Sequence, residues 1–126
     1  MKHYYTILLL ITVLWCGFLT TTQAQYVRQW IARYSSDVKA GNDAATAMTV
    51  DDSGYVYVTG WTTRATTGID FATLKYSPEG ALLWSAFYAN SGSGADKALA
   101  IAIDTAENVY VTGSSVGAGL DFATVK

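Results

Sequence analysis

The chain has 126 residues, a net charge of −2, a single histidine and a single cysteine. This length allows a domain with a modest core, and the slight acidic excess is no footprint for nucleic acid. His3 and Cys16 both lie in the first 24 residues. The rest of the chain therefore has no histidine to activate a serine nucleophile, no thiol nucleophile, and neither a histidine nor a cysteine to bind zinc.

Residues 1–24 have the pattern of a signal peptide. Lys2 gives a basic start, the apolar run 7–19 is shorter than the roughly 20 residues of a membrane-spanning helix, and Ala24 provides a small residue at the cleavage boundary. We expect cleavage before Gln25, export to the cell envelope or the medium, and no membrane span in the mature chain. An uncleaved membrane anchor is the alternative.

The remaining sequence, 25–126, contains an internal repeat. Val-Tyr-Val-Thr-Gly at 56–60 returns unchanged at 109–113, an offset of 53. Asp-Phe-Ala-Thr-Leu-Lys at 70–75 returns as Asp-Phe-Ala-Thr-Val-Lys at 121–126, and the Trp30/Tyr34 pair returns as Trp84/Tyr88. The offsets differ slightly, which places insertions in loops and the matching blocks in regular elements.

The matching blocks alternate apolar and polar residues with period 2 and are rich in Val, Thr, Tyr, Phe and Trp, which predicts β-strands. The turns 51–54 and 77–80 carry the Asp, Pro and Gly residues of type I turns, and the intervals 62–69 and 114–120 are predicted loops. One repeat therefore contains four short antiparallel strands, predicted at 45–50, 55–60, 70–76 and 81–88.

Four such strands per repeat of about 50 residues predict an all-β fold of β-propeller blades, each a four-stranded antiparallel sheet. We expect the strand at 55–60 inside its sheet, buried on both faces, and the strand at 81–88 at the outer edge. The chain holds about two blades of an incomplete propeller. They comprise an outer strand of a preceding blade (25–34), a complete blade (44–88) and a partial blade (97–126).

Two blades cannot close a ring, since propellers have about four to eight blades. Closure requires further blades in the same chain or a homo-oligomer. Because the sequence ends inside a strand motif at Lys126, we expect a fragment of a longer protein.

The string from Ala45 to Trp84 resembles the SBBP repeat, a bacterial repeat named for a seven-bladed β-propeller. The matching motifs are A-x-A-x-x-x-D, then V-Y-V-T-G, then D-x-A-T-x-K-Y-S-x-x-G. The family's Gly-Asn pair is Gly54-Tyr55 in the first copy and Glu107-Asn108 in the second, so each copy keeps one residue suited to an unusual φ. The resemblance implies a propeller and export, with no defined catalytic residues.

No residue pattern indicates a reaction. The loop 51–54 lacks the further oxygen ligands of a calcium site, so a turn-forming Asp51 is the better interpretation. Paired carboxylates for glycoside hydrolysis remain open. The candidates recur at the repeat spacing, which favours structural roles such as turn caps: Asp51, Asp70, Asp104 and Asp121.

A weak candidate for a ligand surface is Trp61 with Arg64. Trp61 is not repeated, since its counterpart is Ser114. An exposed indole beside Arg64 offers a stacking surface for a sugar or a peptide. The alternative is that Trp61 fills a gap between blades.

Three functions follow from these observations. The first is an exported, non-enzymatic propeller segment that acts as a scaffold or binds a protein or glycan, without a cofactor or metal. The second is a lectin-like module that self-assembles from two-blade chains. The third is part of an enzyme whose active site lies in other blades. No nucleic acid partner is expected.

Overall fold

The structure is a computed structural model that describes residues 28–36, 38–91 and 94–126. The predicted signal peptide at 1–24 lies outside these ranges. Within them the regular structure is entirely β, which confirms the predicted fold class. The strands are β1 (Asp43–Val50), β2 (Val56–Arg64), β3 (Gly68–Tyr76), β4 (Leu82–Tyr88), β5 (Lys97–Ile103), β6 (Val109–Val116) and β7 (Leu120–Val125).

The strands form two antiparallel sheets in chain order. The first sheet has the order β1-β2-β3-β4 and the second has the order β5-β6-β7. As predicted, β2 lies inside its sheet and β4 at an edge. Val56 and Tyr57, on opposite faces of β2, are both buried because structure packs against both sides of the sheet. The two sheets are a four-stranded blade and a blade with three strands among the described residues.

The loops between β2 and β3, and between β6 and β7, are shorter than predicted. The interval 62–69 is mostly strand, because β2 continues to Arg64 and β3 begins at Gly68. The β-branched Thr62 and Thr63 suit a pleated strand and extend the ladder. Gly68 has a φ of 90° and closes a tight turn that a residue with a Cβ would strain. The hairpin between β6 and β7 also has a shorter loop than predicted, since β6 ends at Val116 and β7 begins at Leu120.

The predicted turns after β1 and after β3 are present. The Gly54 N–H donates to the Asp51 carbonyl at 3.0 Å, and the Gly80 N–H donates to the Ser77 carbonyl at 2.9 Å. In the second blade the residue with positive φ is Glu107, at 61°, rather than the expected Asn108. Asn108 instead uses its side chain to donate to Asp104.

The predicted outer strand at 25–34 differs most from the structure, since its described residues, 28–34, form no strand. Trp30, Ala32 and Tyr34 still alternate with exposed neighbours and pack against the face of the first sheet. The Trp30 indole N–H donates to the Pro78 carbonyl at 3.0 Å. The segment thus has the side-chain pattern of a strand, but it packs on the face of the first sheet and belongs to neither sheet of the described residues.

Among the described residues, the buried apolar side chains form two clusters. One lies between the segment 28–34 and the first sheet, around Val56, Leu74 and Tyr76. The other lies between the sheets, where Phe71 packs with Ala98 and Val111. The second cluster is therefore formed where one blade packs against the next. In the described part of the chain there is no helix with the length and apolar character of a membrane span.

Candidate functional site

The longer connections and both candidate ligand residues lie at one end of the sheets. Because neighbouring strands are antiparallel, the start of β1, the end of β2, the start of β3 and the end of β4 meet there. Trp61 and Arg64 both belong to this end of β2. We call it the loop end. The tight turns at Asp51 and Ser77 lie at the opposite end.

Arg64 lies on an aromatic ring beside a buried acid. Its guanidinium carbon is 4.3 Å from the centroid of the Phe87 ring, and its Nε is 3.7 Å from Asp70 Oδ2. The side chain is 41% exposed. Stacking on Phe87 and the ion pair with Asp70 fix the orientation of the guanidinium plane and leave part of it open to solvent. A guanidinium held in this way can donate hydrogen bonds to a carboxylate or to a hydroxyl-rich ligand.

Asp70 is the buried partner in this pair. It is 2% exposed, and its Oδ2 accepts a hydrogen bond from the Thr67 hydroxyl. Its Oδ1 is buried and has no hydrogen-bond partner among the described residues. Burying a carboxylate is costly unless it is paired. Arg64 therefore has a structural role, to neutralise Asp70, besides any role in binding.

Trp61 lies on the other face of the sheet from Arg64. The β2–β3 register is regular, with Trp61 opposite Phe71 and Arg64 opposite Gly68, so residues 61 and 64 point to opposite sides. Trp61 is half-buried, and Lys97 Nζ of the second blade lies 5.2 Å from its ring. These contacts agree with the alternative interpretation, in which Trp61 fills a gap between the blades. The two residues do not share one surface, and a ligand role for either stays a prediction.

Two acids at the loop end were missed by sequence reasoning, Asp43 and Asp96. Asp43 accepts hydrogen bonds from the Ser36 N–H at 2.9 Å and the Thr62 hydroxyl at 2.5 Å. Asp96 accepts from the backbone N–H groups of Asn90 and Val116, at 2.8 and 3.0 Å. Each acid ties the connection that enters its blade to the end of the second strand. The detectable signal was their spacing of 53, the repeat offset.

The environment of Asp43 favours its ionised form. Burial acts to raise the pKa of this carboxyl, but hydrogen bonds from Thr62, Ser36 and Thr63 outweigh it and hold the pKa below the usual value. An ionised acceptor makes stronger hydrogen bonds than a neutral one. Asp43 is therefore a fixed clamp on the loop that precedes β1.

Asp51 and Asp104 are turn caps, as the repeat spacing predicted. Asp51 accepts from the N–H groups of Ser53 and Tyr55, and Asp104 accepts from those of Ala106 and Asn108. The hydrogen bonds from Asn108, with a further one from Tyr110, lower the pKa of Asp104 to about 2 despite some opposing desolvation.

The two first-blade carboxylates considered for glycoside hydrolysis, Asp51 and Asp70, lie at opposite ends of the sheet. Asp51 lies in the turn after β1, at the end of the first sheet opposite the loop end, whereas Asp70 lies near the start of β3, at the loop end. Across residues 28–36, 38–91 and 94–126, no three His, Cys, Asp or Glu side chains form a group able to hold a metal ion.

An apolar cleft of about 310 Å³ lies between the segment 28–34 and the face of the first sheet. It continues over β1, where Met48 is exposed. No motif of the sequence predicts a cleft at this place. Its lining is mainly aliphatic and aromatic, and includes Trp30, Tyr34, Met48, Val58, Leu74 and Tyr76.

Sheets of short antiparallel strands joined by tight turns and stacked face to face define blades of a β-propeller. Residues 25–64 match the family model described as the SBBP beta-propeller repeat, which confirms the resemblance over that segment. Neither the curated proteins nor the solved structures contain a match to this chain.

Proposed function

We propose that the chain is an exported, non-enzymatic segment of a propeller, which serves as a scaffold and binds a protein or glycan at its loop end. The match to a propeller repeat supports a module of this kind. The proposal of a binding surface rests on one observation. The residues that hold the loop end in place are repeated in both blades, while exposed positions beside them differ.

The repeated residues are the clamps Asp43 and Asp96, which make corresponding hydrogen bonds in the two blades. The position that differs lies at the end of the second strand in the first blade and directly after the second strand in the second blade. Arg64 of the first blade corresponds to Gly117 of the second. A rigid framework with variable side chains at its loops is the usual arrangement of a binding surface. A site repeated in each blade, as in a lectin, would instead need the same residues at these positions.

Arg64 is the residue through which we expect binding. Its stacked, partly open guanidinium suits a carboxylate or a hydroxyl-rich sugar. The test is a screen of the exported protein against glycan and peptide arrays, with common hydrolase substrates in parallel. Binding without turnover supports the proposal, and turnover of any substrate contradicts its non-enzymatic part.

The variant Arg64→Lys keeps the charge beside Asp70 but loses the planar fork. If Arg64 contacts the ligand, a hit should weaken by about tenfold or more, since one bidentate charged contact contributes more than 1.4 kcal/mol. Lys39→Ala, at an exposed position in the preceding loop, is the matched control and should leave affinity unchanged. Unchanged binding by Arg64→Lys would place the ligand elsewhere.

The export part of the proposal has a separate test. N-terminal sequencing of the protein recovered from the medium or envelope should begin at Gln25. Recovery of a chain that retains Met1 in the membrane fraction would support the anchor instead.

A further inference from the structure

Each blade has a row of polar residues across its first three strands at the loop end. A hydroxyl on the second strand lies between an acid at, or directly before, the start of the first strand and an acid near the start of the third. The rows are Asp43, Thr62 and Asp70 in the first blade, and Asp96, Ser115 and Asp121 in the second. Strand register places the members of each row opposite one another, so their side chains lie on one face of the sheet. We call each set an acid–hydroxyl–acid row.

The buried side-chain polar atoms without a hydrogen-bond partner lie in or beside these rows. Among the described residues they are Ser36 Oγ, Asp70 Oδ1 and Ser115 Oγ. Asp70 and Ser115 are row members and are each 2% exposed, while Ser36 donates its N–H to Asp43. An unpaired polar atom is costly to bury, and such atoms often mark a bound ion or water. Because they recur at the same place in two blades, the rows are candidate sites for a small ligand that oxygen atoms coordinate.

The two rows differ in how their negative charge is balanced. In the first row, Arg64 Nε lies 3.7 Å from Asp70 Oδ2. The second blade has Gly117 at the position of Arg64. Its buried acid, Asp96, is 1% exposed and forms no ion pair with a lysine or arginine of the described ranges. The ammonium of the next residue, Lys97, lies 5.2 Å from an indole ring of the first blade. Among the described residues, the second row therefore has two acids and no counterpart of the Arg64 guanidinium.

We propose that the second row binds a calcium ion, which takes the place that the Arg64 guanidinium has in the first row. The Asp96 and Asp121 carboxylates and the Ser115 hydroxyl provide oxygen ligands, and water completes the coordination. Ligands that are all oxygen select a hard cation, and calcium accepts irregular coordination more readily than magnesium does. All three side chains belong to the second sheet or directly precede it, so the site is formed within a single blade.

The hydrogen bonds of Asp96 are compatible with this role. Its Oδ2 and Oδ1 accept from the N–H groups of Asn90 and Val116. These bonds fix the carboxylate, and each oxygen keeps a second lone pair for a cation. With only two acids, binding should be weak, with a Kd of roughly 10⁻⁴–10⁻³ M, as in extracellular calcium-binding modules. The Asp96 N–H also donates to the Ile69 carbonyl of the first blade, so a bound ion should strengthen the junction between the blades.

Equilibrium dialysis of the full chain against radioactive calcium tests the site. The chain should bind one ion. Gly117→Arg should weaken binding by about tenfold or more, because its guanidinium enters the second row as Arg64 enters the first. Gly119→Arg adds the same charge to the same hairpin at an open position outside the row and is the matched control. Equal binding by the two variants, or no binding by the unsubstituted chain, overturns the proposal.

The hydroxyl ligand has its own test. Ser115→Ala should weaken calcium binding by about tenfold. Ser114→Ala, one residue away and on the opposite face of β6, should leave the affinity unchanged. The Ser115 hydroxyl makes no hydrogen bond in the described part of the chain, so the fold should persist in both variants. Unchanged binding by Ser115→Ala would overturn the assignment of the ion to the row.

The converse substitution, Arg64→Gly, should create a calcium site in the first row. Without calcium the melting temperature should fall, because Asp70 is left buried and unpaired, and an excess of calcium should restore most of the loss. Arg33→Gly, at an exposed arginine of the segment 28–34, is the control and should respond to calcium no more than the unsubstituted chain does. If calcium restores no stability to Arg64→Gly, the exchange of a guanidinium for a cation is wrong.

Discussion

Glu107 occupies a backbone conformation that suits glycine. Its φ is 61°, and the residue at the same turn position in the first blade is Gly54, with a φ of 84°. For residues with a Cβ the left-handed region costs roughly 1–2 kcal/mol. The Glu107 side chain provides little stabilisation to compensate this cost, since its carboxylate is mostly exposed and lies 3.9 Å from Lys75 Nζ. Exposed ion pairs of this kind contribute about 0–1 kcal/mol.

We therefore expect Glu107→Gly to stabilise the protein. Relief of the strained φ outweighs the greater freedom of glycine in the unfolded chain and the lost ion pair, so the free energy of unfolding should rise by about 0.5–1 kcal/mol. Urea denaturation measures it. The control is Ala106→Gly, in the same turn without positive φ, which should not stabilise. A lower stability of Glu107→Gly would show that the ion pair dominates.

Asp104 should make stability depend on pH in the acid range. Its pKa is lowered to about 2, first by the Asn108 side chain and backbone. Because the folded pKa is below the unfolded value of about 3.9, the stabilisation is present above that value and is lost as the pH falls towards 2.

The melting temperature of the unsubstituted protein should therefore exceed that of Asp104→Asn at pH 5, and the difference should shrink by pH 2. Asp52→Asn changes an exposed acid in the other turn and provides the control. A difference that stays constant between pH 5 and pH 2 would contradict the role of ionised Asp104.

At the scale of the strand, the glycine that ends each V-Y-V-T-G motif is required by close packing of two backbones. A Cβ on Gly60 would lie 1.9 Å from the Ala44 carbonyl oxygen, and one on Gly113 would lie 2.1 Å from that of Lys97. Both glycines face a β-bulge, between Ala45 and Ala47 in the first blade and at the corresponding place in the second. The bulge brings the first strand of the blade against the glycine.

Gly60→Ala should consequently destabilise the protein, because β1 must move and its pairing with β2 must weaken. The expected loss is about 1–3 kcal/mol, typical of overpacking. Gly119→Ala is the matched control, since nothing lies within 4 Å of a Cβ there and its φ is not positive. Thermal denaturation of both variants measures the effect, and equal melting temperatures would contradict the role given to the bulge.

The strands were predictable because the same alternation of apolar and polar residues occurs in both copies of the repeat, so each copy supports the assignment of the other. Residues 98–103 are rich in Ala, Leu and Ile, which also suit a helix, yet they form most of β5, as their repeat counterparts at 45–50 indicate. Strand ends were less predictable. Thr62 and Thr63 read as loop residues by composition, yet they continue the ladder because β-branched side chains suit it. The segment 28–34 could not be assigned to a sheet from its local pattern, since pairing depends on a neighbouring strand and neither sheet of the described residues includes the segment.

The candidate site was harder to predict than the fold. Trp61 and Arg64 are three residues apart, which is an odd spacing and places them on opposite faces of a strand. Because the interval 62–69 was predicted to be a loop, the alternation of strand side chains was not extended to Arg64. Asp43 was overlooked because its role depends on Ser36 and Thr62, which come together only when β1 pairs with β2.

At the scale of the molecule, the two blades share the apolar cluster that lies between their sheets. Phe71 belongs to the first sheet but packs with Ala98 and Val111 of the second. The Ile69 carbonyl also accepts a hydrogen bond from the Asp96 N–H at 2.6 Å, and Thr46 donates to the Ala98 carbonyl at 2.7 Å. The blades should therefore unfold together, because neighbouring repeats stabilise one another through their interface.

Phe71→Ala should break this coupling. Deleting a buried phenylalanine costs about 3–5 kcal/mol, and here the loss falls on the interface, so the single thermal transition should move to lower temperature and broaden or divide. Phe122→Ala removes the same side chain from the same repeat position of the second blade, where it is exposed. It should leave the transition nearly unchanged. Equal losses in the two variants would show that burial between the blades is not what holds them together.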